Sequence, residues 1–251
     1  MRFFHGNHKK SMSSAQIETA NITWQNNQPY SQQFNDVYFS SENGILETEY
    51  VFLAGNQLSD RWQSLNCSHF TIIETGFGTG LNFLCAAKLW LKTAPSEAIL
   101  HFISIEKHPL SSQNLMRALV LWPSLSVVSK PLIDAYTQIN LSFFPQLITI
   151  KLLKNIELNL FIDDVSDCLH NIHYQADAWF LDGFAPSKNP DMWQKSLFNQ
   201  MARLSHANTT FATFTSAGTV KRGLIEAGYI VKKQAGFGKK REMLIGQFNP
   251  T

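Results

Sequence analysis

From His69 onward the chain alternates short apolar runs with longer stretches whose apolar residues recur at helical spacing. Phe70–Ile73, Ile99–Ile105, Leu147–Leu153, Ile156–Ile162, Ala178–Leu181 and Thr209–Thr215 read as strands, because short runs rich in β-branched and aromatic residues suit a buried pleat. Between them, Leu81, Leu84 and Leu91 line one face of a helix over Gly80–Leu91, with Lys88 as its polar exception. Pro109 opens a second helix running to about Val120, since proline fits a first helical position. Further helices are predicted from residue 124 to about Asn140, over Met192–Leu204, and over Lys221–Ala227, where Gly228 ends the last. Tyr229–Lys233 and Arg241–Phe248 read as a closing hairpin, and Lys154-Asn155 joins two more strands. Strands alternating with helices predict an α/β fold, a mostly parallel sheet covered on both faces.

The first 68 residues follow another pattern. Residues 1–20 are polar and read as a loose arm, whereas Asn21–Ser68 is rich in aromatics, among them Trp24, Tyr30, Phe34, Tyr38, Phe39, Tyr50, Phe52 and Trp62. Asp36–Ser40 and Glu49–Leu53 read as two short strands around an Asn43-Gly44 turn. The expected division is therefore an N-terminal arm and hairpin extension over 1–68, packed on a main domain over 69–251.

With 44% apolar and 16% charged residues in 251, the chain has material for a sizeable core and is not of disordered type. A net charge of +2 permits a nucleic-acid partner without demanding one. Three scattered cysteines, Cys67, Cys85 and Cys168, argue against a disulfide framework. No apolar run approaches the ~20 residues needed to span a bilayer, and no apolar segment follows the basic start of a secretion signal. A cytoplasmic protein with no membrane association is expected.

The segment Thr71-Ile-Ile-Glu-Thr-Gly-Phe-Gly-Thr-Gly80 joins a strand, an acidic residue, a glycine turn and a helix. Gly76, Gly78 and Gly80 are spaced GxGxG; the dinucleotide pattern would need glycine at position 81, which is Leu81. Glu74 would repel a phosphate placed there. A nucleoside with an amino-acid tail fits better, which points to S-adenosylmethionine. Glu106, ending the second strand, can accept both ribose hydroxyls, being an acceptor-only group when ionised. Asp164 of Asp163-Asp164 is placed to take the adenine amino group, and it reads equally as the N-cap of a following helix.

The second dense stretch is Asp177-Ala-Trp-Phe-Leu-Asp-Gly-Phe-Ala-Pro-Ser-Lys-Asn-Pro-Asp-Met-Trp193. Ligands of open parallel sheets bind beyond the carboxyl ends of the strands, so Asp182 is the candidate to orient an amine and accept its proton. Phe184, Pro186 and Trp193 are candidate walls for a flat base, with Lys188 beside them as a substrate contact. Lys240 and Arg241, with Lys221, Arg222, Lys232, Lys233 and Lys239, are candidate phosphate contacts, though charge runs often only face solvent. Cys168, His170 and His173 lack a second ligand cluster, so no metal is expected.

These motifs resemble the methyltransferase module of the bifunctional tRNA 5-methylaminomethyl-2-thiouridine biosynthesis (MnmC) family. The likeness covers about residues 20–248. It rests on Phe34-Asn-Asp-Val-Tyr-Phe-Ser40, Glu47-Thr-Glu-Tyr-Val-Phe-Leu53, Gly55-Asn56, Glu74 to Leu84, Trp179 to Pro186, Asn189-Pro190 and Gly236 to Met243. The resemblance implies a class I Rossmann-like methyltransferase using S-adenosylmethionine, with 5-aminomethyl(-2-thio)uridine at the tRNA wobble position as acceptor. It also implies that the N-terminal extension and the Asp182–Trp193 loop shape the uridine pocket. Asp163 stands where the family usually has glycine. The family's bifunctional members continue into an FAD-dependent oxidase, so an oxidase domain or separate oxidase is a possible partner and FAD belongs only to that region. Three other readings stay open: a nicotinamide-dependent oxidoreductase, a small-molecule amine N-methyltransferase and a non-catalytic tRNA-binding module.

Overall fold

Asn26 and Asn27 take φ of 48° and 61°, the left-handed pair that a two-residue hairpin turn requires and asparagine tolerates. They join β1 (Ile22–Gln25) to β2 (Gln28–Ser31), and β3 (Asp36–Val37) pairs antiparallel with β2. The computed structural model describes residues 18–39, 43–142 and 144–250. Most of the expected arm, residues 1–17, lies outside them, as does Ser40.

The hairpin expected between Asp36–Ser40 and Glu49–Leu53 does not form. Asn43 caps a helix instead of turning a hairpin: its side chain accepts from the Leu46 N–H at 3.1 Å. α1 (Gly44–Thr48) then runs into a π-helical turn, Glu49–Ala54, followed by α2 (Leu58–Gln63). The reason lies in burial. Val51, Phe52 and Leu53 are all buried, whereas a strand sends successive side chains to opposite faces. Phe52 packs on Phe180 with ring centroids 5.2 Å apart. That contact fixes the segment against the main sheet, and its sequence partner is 128 positions away by number (180 − 52).

The rest is a wound α/β sheet. In chain order it comprises β4 (His69–Thr75), α3 (Leu81–Thr93), β5 (Ile99–Glu106), α4 (Ser112–Leu119) and α5 (Ser126–Tyr136). Then come β6 (Gln146–Leu153), β7 (Ile156–Ile162), α6 (Val165–Cys168), β8 (Ala176–Leu181) and α7 (Lys195–Arg203). β9 (Ser205–Thr213), α8 (Gly218–Glu226), β10 (Tyr229–Ala235) and β11 (Glu242–Phe248) complete it. The strand order is β10-β11-β9-β8-β4-β5-β7-β6. Neighbours from β9 through β7 run parallel, and both ends of the sheet are closed by antiparallel hairpins. Helix ends differ by a few residues from expectation. The helix expected from Pro109 starts at Ser112, because the Ser111 hydroxyl accepts from the Asn114 N–H and caps it.

Strand alternation divides the core. Ile72, Phe102, Ala178 and Phe180 point into a cluster with α3 to α5 and the N-terminal residues Val51, Phe52, Leu58 and Trp62. Ile73, Ile103, Trp179 and Leu181 point to the opposite cluster beneath α6 to α8. The N-terminal helices thus share one core with the main sheet. Among the described residues no single helix is long and apolar enough to cross a membrane.

Candidate functional site

The sheet's central strands end at one cavity of about 490 Å³, within the size range of small-molecule sites. Its floor is the glycine turn after β4. Gly80 has φ +76°, and a Cβ there would stand 2.7 Å from Phe77 Cζ, so both the backbone and the packing require glycine. Gly76 has φ +81°, and a Cβ there would approach Gly183 Cα at 3.0 Å. The turns after β4 and β8 therefore touch backbone to backbone. The Gly76 N–H donates to Ile105 O at 2.8 Å, tying the same turn to β5.

Four of the expected carboxylates gather here, in different states. Glu74 is fully buried beneath the turn, where Ser104 Oγ and Asn82 Nδ2 lie 2.6 and 3.0 Å from its two oxygens. Burial holds its carboxyl well above the usual range. A protonated Glu74 can in turn donate to the Ser104 hydroxyl. Glu74 thus braces the turn from below. Glu106 accepts the Gly78 N–H at 2.8 Å on one oxygen and the His108 N–H at 2.7 Å on the other. Each oxygen keeps a lone pair for a further donor. Burial pushes its carboxyl up to about 7, against the opposing pull of those N–H groups.

Asp182 follows β8. Its Oδ1 accepts the Gly183 N–H at 2.8 Å and its Oδ2 accepts from Asn82 Nδ2 at 2.6 Å. Burial raises it to about 6 and Glu47 adds to the rise, while Gly183, Asn82 and Lys240 oppose it. Asp164 caps α6 by accepting the Ser166 N–H at 2.9 Å, and it pairs with Lys107 Nζ at 2.7 Å. Burial raises its pKa, but the Lys107 and Ser166 bonds outweigh that and leave it below the ordinary aspartate value. Asp163 lines the same wall and accepts the Asp164 N–H at 2.7 Å through one oxygen. Burial and the neighbouring carboxylates hold Asp163 above its ordinary value.

The other end of the cavity is aromatic and comes largely from the N-terminal segment. Phe34 stacks on Phe184 at 4.4 Å between centroids, and Tyr38 meets Phe184 edge-on at 5.3 Å. Burial, and secondarily Glu106, keep the Tyr38 phenol protonated by raising its pKa. Lys240, from the β10–β11 tip, crosses the opening to Glu47 of α1 at 2.8 Å and lies over the Phe214 ring at 4.4 Å.

Of the remaining sequence candidates, Phe184 and Lys240 line the cavity, whereas Pro186, Lys188, Trp193 and Arg241 are not on its wall. Trp193 is buried in the second core cluster and donates its indole N–H to Phe184 O at 3.1 Å, bracing the loop from behind. Lys188 ties that loop to the N-terminal segment through Asn35 O at 2.7 Å and Asp36 at 3.2 Å. Arg241 is exposed beyond the tip. Among the described residues no group of three or more His, Cys, Asp or Glu is arranged to hold a metal ion.

Sequence reasoning missed Asn82, Thr48 and Glu47. Asn82 donates to both Glu74 and Asp182 and accepts from Thr48 Oγ1 at 2.7 Å. Its signal was a buried amide in the otherwise apolar first turn of α3. Glu47 and Thr48 lie between the expected Asn43-Gly44 turn and the expected Glu49–Leu53 strand, where a helix forms instead.

A family profile described as "S-adenosyl-L-methionine-dependent methyltransferase" matches residues 128–249. Two curated relatives carry the name "tRNA 5-methylaminomethyl-2-thiouridine biosynthesis bifunctional protein MnmC". That of Methylobacillus flagellatus is 54% identical over 94% of this chain and 36% of its own length. That of Marinomonas sp. is 50% identical over 96% of this chain and 35% of its own length. The chain thus spans about a third of the length of the curated relatives it matches. A crystal structure of MNMC2 from Aquifex aeolicus aligns with a TM-score of 0.67 at 17% identity, covering 94% of this chain and 74% of that one. That last match concerns the fold alone.

Proposed function

We propose that this chain is a methyltransferase module of the kind carried by the MnmC proteins it resembles, and that it methylates the primary amine of 5-aminomethyl(-2-thio)uridine at the wobble position of tRNA. The observation that carries the reading is the convergence of Glu106 and Asp182 on one cavity, at opposite sides of a glycine turn with aromatic walls beyond. The chemistry of the residues fits S-adenosylmethionine. Glu106 has lone pairs left for ribose hydroxyls, the glycines allow close approach of the amino-acid tail, and Asp163 or Asp164 can accept from the adenine amino group.

When bound, the cofactor supplies an activated methyl group that already carries its leaving group. The chain's own task is alignment, exclusion of water and proton handling. Phe184, stacked by Phe34 and edged by Tyr38, offers a face for the uracil ring. Asp182, fixed by Gly183 and Asn82 at 2.8 and 2.6 Å, orients the amine and takes its proton on an Oδ atom. Only the neutral amine has the lone pair needed for attack.

Lys239 and Arg241 at the hairpin tip are proposed to meet anticodon-loop phosphates. The acceptor requires a preceding activity, which we assign to an oxidase on the same or a separate polypeptide. The enzyme is proposed to work in the cytoplasm. The test is methyl transfer from labelled S-adenosylmethionine to tRNA from cells lacking this protein, followed by nucleoside digestion. Label in 5-methylaminomethyl-type uridine is expected. Absence of label, with a folded protein that binds the cofactor, would refute the acceptor assignment.

A further inference from the structure

Glu47 is a carboxylate on a cavity wall with only 15% of its side chain exposed. Such a group requires a cation, because desolvating a lone carboxylate is costly. The structure supplies one from 193 positions away, the Lys240 ammonium at 2.8 Å. Lys240 is the more exposed partner, with 45% of its side chain accessible, and it also rests over the Phe214 ring at 4.4 Å. It therefore has two alternatives to Glu47, water and an aromatic face, whereas Glu47 has only the cavity.

Asp182 lines the same cavity. Glu47 and Lys240 both act on its charge, in opposite directions. The three groups are thus one electrostatic unit of two carboxylates and one ammonium. Two carboxylates lining one cavity favour a second cation.

We propose that Glu47 is the second carboxylate of a subsite for a cationic amine, and that Lys240 is the internal ammonium it gives up when that amine binds. The inference rests on the acceptor assignment made above and deepens it. In this arrangement Lys240 does not grip a phosphate. Its head is turned onto α1, and it guards the acceptor end until a ligand ammonium replaces it. Recognition then selects for charge: an aminomethyl group binds, while a neutral group of the same size leaves Glu47 with Lys240 and gains nothing. An acceptor whose amine carries a carboxylate tail is repelled by both Glu47 and Asp182.

The test measures binding of two anticodon stem-loops to the full chain, one with 5-aminomethyluridine and one with neutral 5-hydroxymethyluridine at the wobble position. The wild type should favour the amine by about tenfold or more, the low end for a close charge pair. Glu47→Gln should bring the two affinities together, and Glu47→Asp should restore part of the preference. Lys240→Met should strengthen binding of the aminomethyl stem-loop alone. It also keeps the test decisive if Glu47→Gln fails to fold. An unchanged preference in Glu47→Gln, or equal weakening of both stem-loops by Lys240→Met, overturns the proposal, the second result being that of a phosphate contact. A wild type that prefers the amine but does not methylate it would sink the activity reading while the subsite stands. Binding of neither stem-loop would overturn both.

Discussion

Replacing Asn82 with alanine tests whether the site is held together from below. The amide gives its two hydrogens to Glu74 at 3.0 Å and Asp182 at 2.6 Å, and its oxygen accepts from Thr48 at 2.7 Å. Asn82 is 8% exposed and Glu74 is fully buried, so water cannot readily take over at the Glu74 end. A hydrogen bond to an ionised group contributes about 1.5–3 kcal/mol net and a neutral one about 1 kcal/mol. Asp182 borders the cavity and can be partly rehydrated, which discounts its share. Glu74, whose carboxyl burial holds well above the usual range, is counted at the neutral figure. The expected loss of stability is about 2–4 kcal/mol, readable as a shifted denaturant midpoint. Catalysis should suffer separately, because a freed Asp182 no longer points one way. A misplacement of about 1 Å costs on the order of a hundredfold in rate, so single-turnover methyl transfer at saturating cofactor should fall about 10–100-fold. Since the Asn82 bond lowers the pKa of Asp182, its loss should also move the rising limb of the rate profile above the wild-type value near 6. A folded Asn82→Ala enzyme with a rate within about twofold of wild type and an unmoved limb would refute the reasoning.

Asp182→Asn should abolish that rising limb and most turnover while leaving cofactor affinity near wild type; retained activity would remove Asp182 as proton acceptor. Glu106→Gln should weaken cofactor binding by about 10-fold or more through loss of a charged hydrogen-bond acceptor, measured by calorimetry, with Asp182-dependent steps intact at saturation. Glu74→Gln should be well tolerated. A carboxyl whose pKa is higher folded than unfolded favours folding at low pH, and that contribution is lost as pH rises from its unfolded value near 4.5. The glutamine variant should therefore flatten the alkaline fall in stability, and a large destabilisation at pH 8 would contradict a neutral Glu74. Gly80→Ala should cost about 1–3 kcal/mol, as its Cβ would meet Phe77 Cζ at 2.7 Å with φ at +76°; thermal melting reads the loss.

The winding of the sheet was legible because it is written locally. Apolar runs such as Phe70–Ile73 and Ile156–Ile162 are strands at almost the expected positions, and the terminal hairpin forms where two runs flank Gly236-Phe237-Gly238. The acidic residues at strand ends were legible too, since topology places the carboxyl ends of parallel strands at one rim. The N-terminal segment was not. Tyr50-Val-Phe-Leu53 carries strand-like residues, but a helix capped by Asn43 and wedged against Phe180 buries three of them in succession. The Asn26-Asn27 pair, with both φ positive, is a local hairpin signal that the aromatic pattern around it masks.

Sequence alone therefore determined the layers, the glycine turn and the acidic residues at the strand ends, because periodicity, backbone conformation and residue type belong to short stretches of chain. Tertiary structure decided what each of those residues touches. It buried Glu74 beneath the turn on Ser104 and Asn82, engaged Asp164 as a helix cap, sent Trp193 behind the loop, and set Lys240 on Glu47. Each of those outcomes depends on which groups from distant parts of the chain share a low-dielectric space. A carboxylate's state and partner are fixed by that neighbourhood and leave no mark on the residues beside it in sequence.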